Sequence, residues 1–237
     1  MLVALWSPKG GSGTSVFAAA ASIVVARAPN GVVRLADLDG DQPAIFGLGV
    51  EPSIGLLDWL DAGVEAPTDA LDRLTVEVTP GLALLPRGGS ERVLAPVAAA
   101  EAGAALAVAL RDGPVPTLAD CGRATEPATR ALVEVADVAV VVVRGCYLAL
   151  RRALRAPVLR RTSGIVLVEE PERSLAEKDV TSVLDLPVLA RVPYRTGAFR
   201  AVDAGVLTTR LPESLGRAAG RFVERVGLGP ARRGAAA

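Results

Sequence analysis

The chain has 237 residues, of which 51% are hydrophobic but only 3% aromatic, and its formal net charge is zero. This length suits one α/β domain with a core of Ala, Val and Leu, and the neutral charge provides no overall attraction to nucleic acid or to an anionic membrane. The chain has no histidine and only two cysteines, which excludes His-based catalysis and argues against a disulfide framework or a zinc site.

Apolar runs of strand length alternate with helical patterns along the chain. The predicted strands are 2–6, 32–36, 82–85, 116–119, 138–143, 165–168 and 188–191. The predicted helices are 15–27, 91–110, 126–135, 147–154, 175–183 and 212–226. This alternation indicates βαβ units and predicts an α/β fold with a doubly wound, mostly parallel sheet flanked by helices. We expect a single domain over 1–227 and a disordered Gly/Ala/Arg-rich tail over 228–237.

The sequence shows no sign of a leader or a membrane span. No charged segment precedes an apolar stretch at the start, so we expect no signal peptide, and the apolar run 138–143 is too short to cross a bilayer. In the last predicted helix an apolar stripe lacks bulky interfacial residues, which favours packing on the sheet over membrane anchoring. The stripe consists of Leu215, Ala218, Ala219, Phe222, Val223 and Val226. We expect a soluble, cytoplasmic protein.

The loop after the first predicted strand is rich in glycine and leads into an Ala-rich helix. Its sequence from 7 to 15 is SPKGGSGTS. Glycines let the backbone N–H groups of such a loop point at one spot, and the helix N-terminus adds partial positive charge there. The loop therefore predicts a phosphate-binding cradle, with the Ser15 hydroxyl as a magnesium ligand. A glycine-rich turn without a ligand is the alternative.

The loop departs from the general phosphate-loop pattern G-x-x-x-x-G-K-[ST], since Pro8 replaces the first glycine and Thr14 replaces the lysine. Instead it resembles the deviant Walker A box K-G-G-x-G-K-[ST] of the ParA/MinD family, and one of the two lysines in the chain, Lys9, falls on the signature position. The resemblance implies binding of ATP or ADP with Mg²⁺. The residues it assigns to the nucleotide are Lys9, Gly10, Gly11, Ser12, Gly13, Thr14 and Ser15.

Two further boxes extend the resemblance. The second predicted strand runs into Asp37-Leu38-Asp39, like the family's D-x-D box, and a later apolar strand ends in Asp120 before Gly122, like a Walker B segment. The resemblance implies that Asp39 orients the attacking water and that Asp37 and Asp120 lie in the magnesium shell. A helix cap or turn is the alternative for Asp39 and Asp41.

The resemblance also implies a site for the base. The segment 168–171 (VEEP) aligns with a place where relatives carry an Asn near the adenine, so Glu170 is a departure that leaves the base preference open. Pro193, in the run RVPY at 191–194, matches a turn that borders the base.

Loss of the lysine at position 14 narrows the choice of branch. A loop with threonine at this position resembles that of the CpaE/TadZ-like pilus-assembly and septum-site-determining-like branch. Many CpaE-like proteins also carry a receiver-like domain, which this sequence does not show. This implies a protein that binds ATP, forms a homodimer through Lys9, recruits a partner at a pole or septum, and hydrolyses ATP weakly or not at all. The alternatives are a slow but competent ATPase that cycles like ParA or MinD, and a degenerate P-loop protein that acts only through protein contacts.

Arginines are concentrated between 144 and 161. Family members use basic patches to bind nucleoid DNA nonspecifically, but a solvated face on a neutral protein is the favoured interpretation. The cluster consists of Arg144, Arg151, Arg152, Arg155, Arg160 and Arg161.

Overall fold

One sheet of eight strands forms the centre of the molecule in the computed structural model, which describes residues 1–171 and 173–228. The strands are β1 Leu2–Trp6, β2 Val33–Asp37, β3 Val76–Thr79, β4 Leu82–Leu85, β5 Thr117–Asp120, β6 Val138–Arg144, β7 Thr162–Glu169 and β8 Val188–Pro193. Their order is β3-β4-β2-β5-β1-β6-β7-β8, and β3 alone among them runs antiparallel, against β4. The predicted doubly wound, mostly parallel sheet is confirmed.

Helices cover both faces of the sheet. They are α1 Thr14–Arg27, α2 Gln42–Ile45, α3 Leu56–Asp61, α4 Ala70–Arg73, α5 Pro96–Asp112, α6 Pro127–Val135, α7 Tyr147–Ala153, α8 Glu177–Leu184, α9 Thr196–Asp203 and α10 Glu213–Val226, with 3₁₀ turns at Gly63–Glu65 and Pro157–Arg161. Successive residues of a strand point to opposite faces, so β1 contributes Leu2, Ala4 and Trp6 to one apolar core and Val3 and Leu5 to the other.

All the strands and helices predicted from the sequence are present, with ends that differ by a few residues. The largest difference is α5, predicted from residue 91 but beginning at Pro96, a residue type favoured at the first helical position. The prediction lacked β3 and the short helices α2, α3, α4 and α9. Pro80 and Gly81 turn the chain between β3 and β4, which was a usable hairpin signal.

The apolar stripe of α10 packs inside the molecule. Its six residues are all buried, and Phe222 contacts Phe17 of α1 edge to face, with ring centroids 5.2 Å apart. This confirms the packing interpretation over membrane anchoring. Among residues 1–171 and 173–228, no helix is long and apolar enough to span a membrane. The disordered tail was predicted over 228–237, but its first residue, Leu228, is buried against the α10 side of the core, and 229–237 lie outside the described residues.

Candidate functional site

The carboxyl ends of the central strands meet at one edge of the sheet. The chain leaves β1 for the glycine-rich loop and α1, on the side where β2 and β5 also end. In doubly wound sheets, ligands bind at this edge, where the strand order reverses. A cavity of about 490 Å³ opens there, lined by the loop from Gly10 to Val16, by Asp39 and by Arg123.

The glycine-rich loop forms a cradle of unbonded N–H groups. Within the described residues, the backbone N–H groups of Gly10, Gly11, Ser12 and Gly13 have no hydrogen-bond partner, and the first turn of α1 adds more free N–H groups. The Lys9 carbonyl holds the loop in shape by accepting hydrogen bonds from the hydroxyls of Ser7 and Ser12, at 3.1 and 2.7 Å. A Cβ added at any of the three loop glycines would meet no atom within 4 Å, so the cradle is open. An anion fits it.

Thr14 is the first residue of α1 and follows directly after the glycine-rich loop. Its side chain is buried and lines the cavity, and its Oγ1 has no hydrogen-bond partner in the described structure. An unpaired buried hydroxyl is unfavourable, so a ligand oxygen in the cavity would satisfy it. The site therefore has a neutral hydrogen-bonding group at this point rather than a charged one.

Asp37 lies fully buried at the end of β2 and organises the following turn. Its Oδ1 accepts hydrogen bonds from the N–H groups of Asp39 and Gly40, and its Oδ2 accepts one from Gln42, at 2.7 to 3.2 Å. Burial, with the nearby charge of Asp120, raises the pKa of Asp37 from 3.8 to about 7. Strand register places the two carboxylates side by side, since the Cα atoms of Asp37 and Asp120 are partners across β2 and β5.

Asp120 belongs to a buried polar network below the loop. Its Oδ2 accepts a hydrogen bond from the Gln42 side-chain amide at 2.8 Å, and its Oδ1 accepts one from the N–H of Gly122 at 3.2 Å. Burial raises the pKa of Asp120 to about 6, while hydrogen bonds from Gln42 and Ser15 oppose the rise. Gln42 also donates to the Ser15 carbonyl at 3.0 Å. The network fixes Asp120 beside the first turn of α1.

Asp39 lies at the mouth of the cavity, more exposed than Asp37 and Asp120. Gly122 packs directly against it: φ at Gly122 is 50°, and a Cβ there would lie 2.2 Å from Asp39 Oδ1. Only glycine allows this approach, so β5 and the D-x-D segment meet in a fixed geometry. Partial burial and Asp41 raise the pKa of Asp39, against the opposing charges of Arg123 and Arg87.

A smaller apolar cavity of about 50 Å³ adjoins the loop between α1 and β8. Pro193, Val168 and Arg144 line it, together with Ser12 and Gly13 of the loop. The guanidinium carbon of Arg144 lies 5.3 Å from the centroid of the Tyr194 ring, a cation–π arrangement. Pro193 thus lies near the glycine-rich loop, and its role beside a base stays a prediction.

Two residues that the sequence assigned to the nucleotide do not line these two cavities. Glu170 forms ion pairs with Arg144 and Arg173, so it reaches the site only through Arg144, which lines both cavities. Lys9 is partly exposed, and its side chain is not part of either lining. Neither residue is placed to contact a ligand in its own cavity.

Three polar residues of the site were not predicted from the sequence. Gln42 was part of the run after the D-x-D box, and only the fold shows its amide reaching Asp120. Arg123 follows the Walker B-like segment directly, which was a usable signal. Arg144 belongs by sequence to the arginine cluster at 144–161, but it lies at the end of β6, where it lines the cavity and its Nε is buried without a partner.

The donor set fits a magnesium ion held mainly by phosphate and water. The Ser15 hydroxyl and the carboxylate of Asp120 lie together, with Asp37 behind them. No group of three or more His, Cys, Asp and Glu side chains in the described parts of the chain is arranged to hold a metal alone. Mg²⁺ in nucleotide sites commonly takes one or two protein ligands and completes its shell with water and phosphate oxygens.

Comparisons with known proteins support the fold. No protein-family model matches the sequence, and neither does any curated protein. A ParA family ATPase from Chlorobium tepidum TLS has a TM-score of 0.77 and 19% identity, covering 95% of this chain and 98% of that one. MinD of Pyrococcus horikoshii OT3 complexed with Mg-ADP has a TM-score of 0.73, 18% identity and 95% coverage of both chains. The MinC:MinD complex of Aquifex aeolicus has a TM-score of 0.75 and 18% identity, and the match covers 95% of both chains. The chain therefore has the fold of the ParA/MinD P-loop ATPases.

Proposed function

We propose that this chain is an ATP-binding positioning or scaffold protein of the ParA/MinD family that hydrolyses ATP weakly or not at all. One observation carries the proposal. An open cradle of unbonded N–H groups lies above a buried network of Ser15, Asp120 and Gln42, and the residue that should carry a charge, Thr14, presents an unpaired hydroxyl.

The cradle suits the phosphates of ATP or ADP. Backbone N–H groups from Gly10 to Gly13 would hold phosphate oxygens, with Thr14 Oγ1 as a further donor. The apolar cavity at Pro193 and Arg144 would take the base. When bound, Mg²⁺ would neutralise the phosphate oxygens, with Ser15 and Asp120 as the protein groups nearest to it and Asp37 orienting the turn.

Slow hydrolysis follows from the charge of the site. Asp39, at the cavity mouth, is the side chain that would orient the attacking water. Phosphoryl transfer depends on positive charge against the β- and γ-oxygens, and Thr14 supplies none. A long-lived ATP-bound state is the expected consequence.

A competent but slow ATPase is a second candidate, favoured by one specific observation. Arg123 and Arg144 line the cleft and place two cationic side chains beside the loop. They would replace part of the missing lysine charge. Steady-state hydrolysis separates this candidate from the first.

The dimer and the partner belong to the same proposal. Lys9, partly exposed and outside the linings of its own two cavities, is free to reach the phosphates of a second copy. Helix α7 begins next to Cys146, on which the charge of Lys9 acts, and it exposes large apolar side chains, which suits docking of a protein partner. These residues are Tyr147, Leu148 and, just after the helix, Leu154. The MinC:MinD complex is a precedent for such an arrangement in this fold. A Tad/Flp-type pilus or secretion machine, or a septum-placement system, is the proposed partner.

Calorimetric titration of ATP with Mg²⁺ tests the proposal. We expect saturable binding, weakened about ten- to a hundred-fold by loss of the lysine contact, which is worth about 1.5–3 kcal/mol. Gly10→Asp should abolish binding, because a side chain there projects into open space at the cradle and adds negative charge. Gly220→Asp is the matched control, since a Cβ in α10 also meets no atom within 4 Å. Absence of binding at millimolar ATP, or equal binding by both variants, would disprove the proposal.

A further inference from the structure

A second cavity of about 380 Å³ lies beside the candidate nucleotide site and shares Arg123 with it. It is strongly basic, because four arginines and no acidic side chain line it. We call it the arginine pocket; its charged lining consists of Arg123, Arg130, Arg152 and Arg155.

In the described structure, none of the four guanidinium groups of the arginine pocket is held by an ion pair, although the charges of Arg123 and Asp39 interact at longer range. Within the described residues none of them forms a side-chain hydrogen bond either, whereas seven other arginines of the same chain do form ion pairs. Arg130 is the clearest case, because its Nε is buried without any hydrogen-bond partner. A buried donor in this state is unfavourable unless something binds to it.

The remaining lining is mostly apolar. It includes Trp6, Ala124, Ala156 and Pro157, with Thr125 at one side. A concave pocket with clustered guanidinium groups and an apolar wall suits a discrete molecule that has both anionic and organic parts. A duplex nucleic acid would instead require positively charged side chains spread along an extended protein surface.

We propose that the arginine pocket binds a small phosphorylated molecule carrying at least two phosphate charges, separate from the nucleotide cleft. Guanidinium groups bind phosphate through paired N–H donors, and four of them match a polyanion rather than a single carboxylate. The inference does not depend on nucleotide binding in the cleft.

The test uses inorganic pyrophosphate as the probe and isothermal titration calorimetry as the readout. The full-length chain carries Gly10→Asp, so that the cradle of the cleft is blocked and binding there does not contribute. We expect this variant to bind about one pyrophosphate per chain. Failure of ATP binding in the cleft would leave this result unchanged, so the two proposals fail separately.

Two matched double variants in that background locate the site. Arg152→Gln with Arg155→Gln removes two pocket charges and should weaken pyrophosphate binding by at least about tenfold. Arg151→Gln with Arg160→Gln removes the same charge from exposed positions in the same segment that do not line the pocket, and should change binding by less than about twofold. All four arginines substituted are exposed, so both variants should fold, which circular dichroism checks.

Three results would overturn the proposal. One is the absence of pyrophosphate binding in the Gly10→Asp chain, and another is equal weakening by the two double variants. The third is tighter binding of a short duplex DNA than of pyrophosphate, lost equally in both double variants, which would show a nucleic-acid surface instead.

Discussion

Thr14 is the residue at which our proposal separates nucleotide binding from catalysis. It is buried at the start of α1 and lines the cavity, so it presents a neutral hydroxyl to any ligand that binds there. The backbone N–H groups around it do not depend on side-chain identity. Phosphate binding and phosphoryl transfer should therefore respond differently to substitution at this residue.

The first prediction concerns hydrolysis. Thr14→Lys should raise the steady-state ATPase rate by about 10²–10³-fold, because losing or gaining a preorganised charged donor changes phosphoryl transfer by that order. Phosphate release, measured under ATP saturation, gives the rate. Thr14→Ser should leave it unchanged, and adding Asp39→Ala to Thr14→Lys should remove the gain. A wild-type rate equal to that of lysine-bearing relatives would refute the idea.

A second prediction at the residue scale concerns pH. Burial raises the pKa of Asp37 to about 7 and that of Asp120 to about 6, so the folded state binds protons that the unfolded state has released at these pH values. Stability from these two groups is complete below about pH 4 and is lost as the pH rises through 6 and 7. The free energy of unfolding of the nucleotide-free protein should therefore fall from pH 5 to about pH 7 and then level off, with a slope of up to about 1.4 kcal/mol per pH unit for each group that is still protonated in the folded state.

Chemical denaturation at several pH values from 5 to 8 measures this slope. Asp37→Asn should flatten it, although the variant is less stable overall because an amide offers one oxygen where the carboxylate accepts three N–H groups. Asp112→Asn is the control, since the pKa of Asp112 is lowered by Arg111 and does not titrate in this range. A wild-type stability that increases from pH 5 to 8 would contradict the prediction.

At the scale of elements, the site depends on helix α1 being held firmly against the sheet. Ala residues dominate its buried face, which allows close approach to the strands, and α10 covers its outer side. The contact between Phe17 and Phe222 joins the two helices. Because the cradle is the N-terminal end of α1, packing at α10 supports the position of the loop.

The third prediction tests this packing. Phe222→Ala should lower the free energy of unfolding by about 3–5 kcal/mol, since it removes a fully buried aromatic ring. Urea denaturation measures the change. Arg221→Ala, at the neighbouring exposed position, should cost less than about 0.5 kcal/mol. A loss below about 1 kcal/mol for Phe222→Ala would mean that α10 is not packed as described.

At the scale of the whole molecule, the proposed function includes pairing of two copies of the chain. Lys9 is partly exposed at the edge of the loop, and two phosphate-rich sites facing each other would repel without a cation between them. A lysine from each copy would supply that cation in a twofold-symmetric contact. Slow hydrolysis would prolong the paired state.

The fourth prediction follows from this geometry. ATP with Mg²⁺ should shift the wild-type chain from monomer to dimer in light scattering, and Lys9→Ala should weaken the dimer strongly while retaining ATP binding. Lys178→Ala is a matched control, because it removes the chain's other lysine from an exposed position on α8. If Lys9→Ala dimerises as well as the wild type, the dimer rests on another surface.

The sequence by itself determined the fold class and predicted the loop at which the candidate site lies. Continuous apolar runs such as 138–143 predict buried parallel strands, because both faces of such strands are covered by helices. The glycine spacing at 9–15 predicts a strand, a loop and a helix in that order, since local backbone geometry decides it. Short or partly exposed elements such as β3 and α2 carried too weak a periodic pattern to be recognised.

Only the tertiary structure decided which polar groups share the site. Asp37 and Asp120 are far apart in the chain but adjacent in register across β2 and β5, and Gln42 reaches Asp120 because a turn capped by Asp37 brings it there. Likewise, Arg144 turns toward the cleft while Arg152 and Arg155 line a separate pocket. Sequence proximity placed these arginines in one cluster, but side-chain direction and burial depend on long-range packing, which no local pattern encodes.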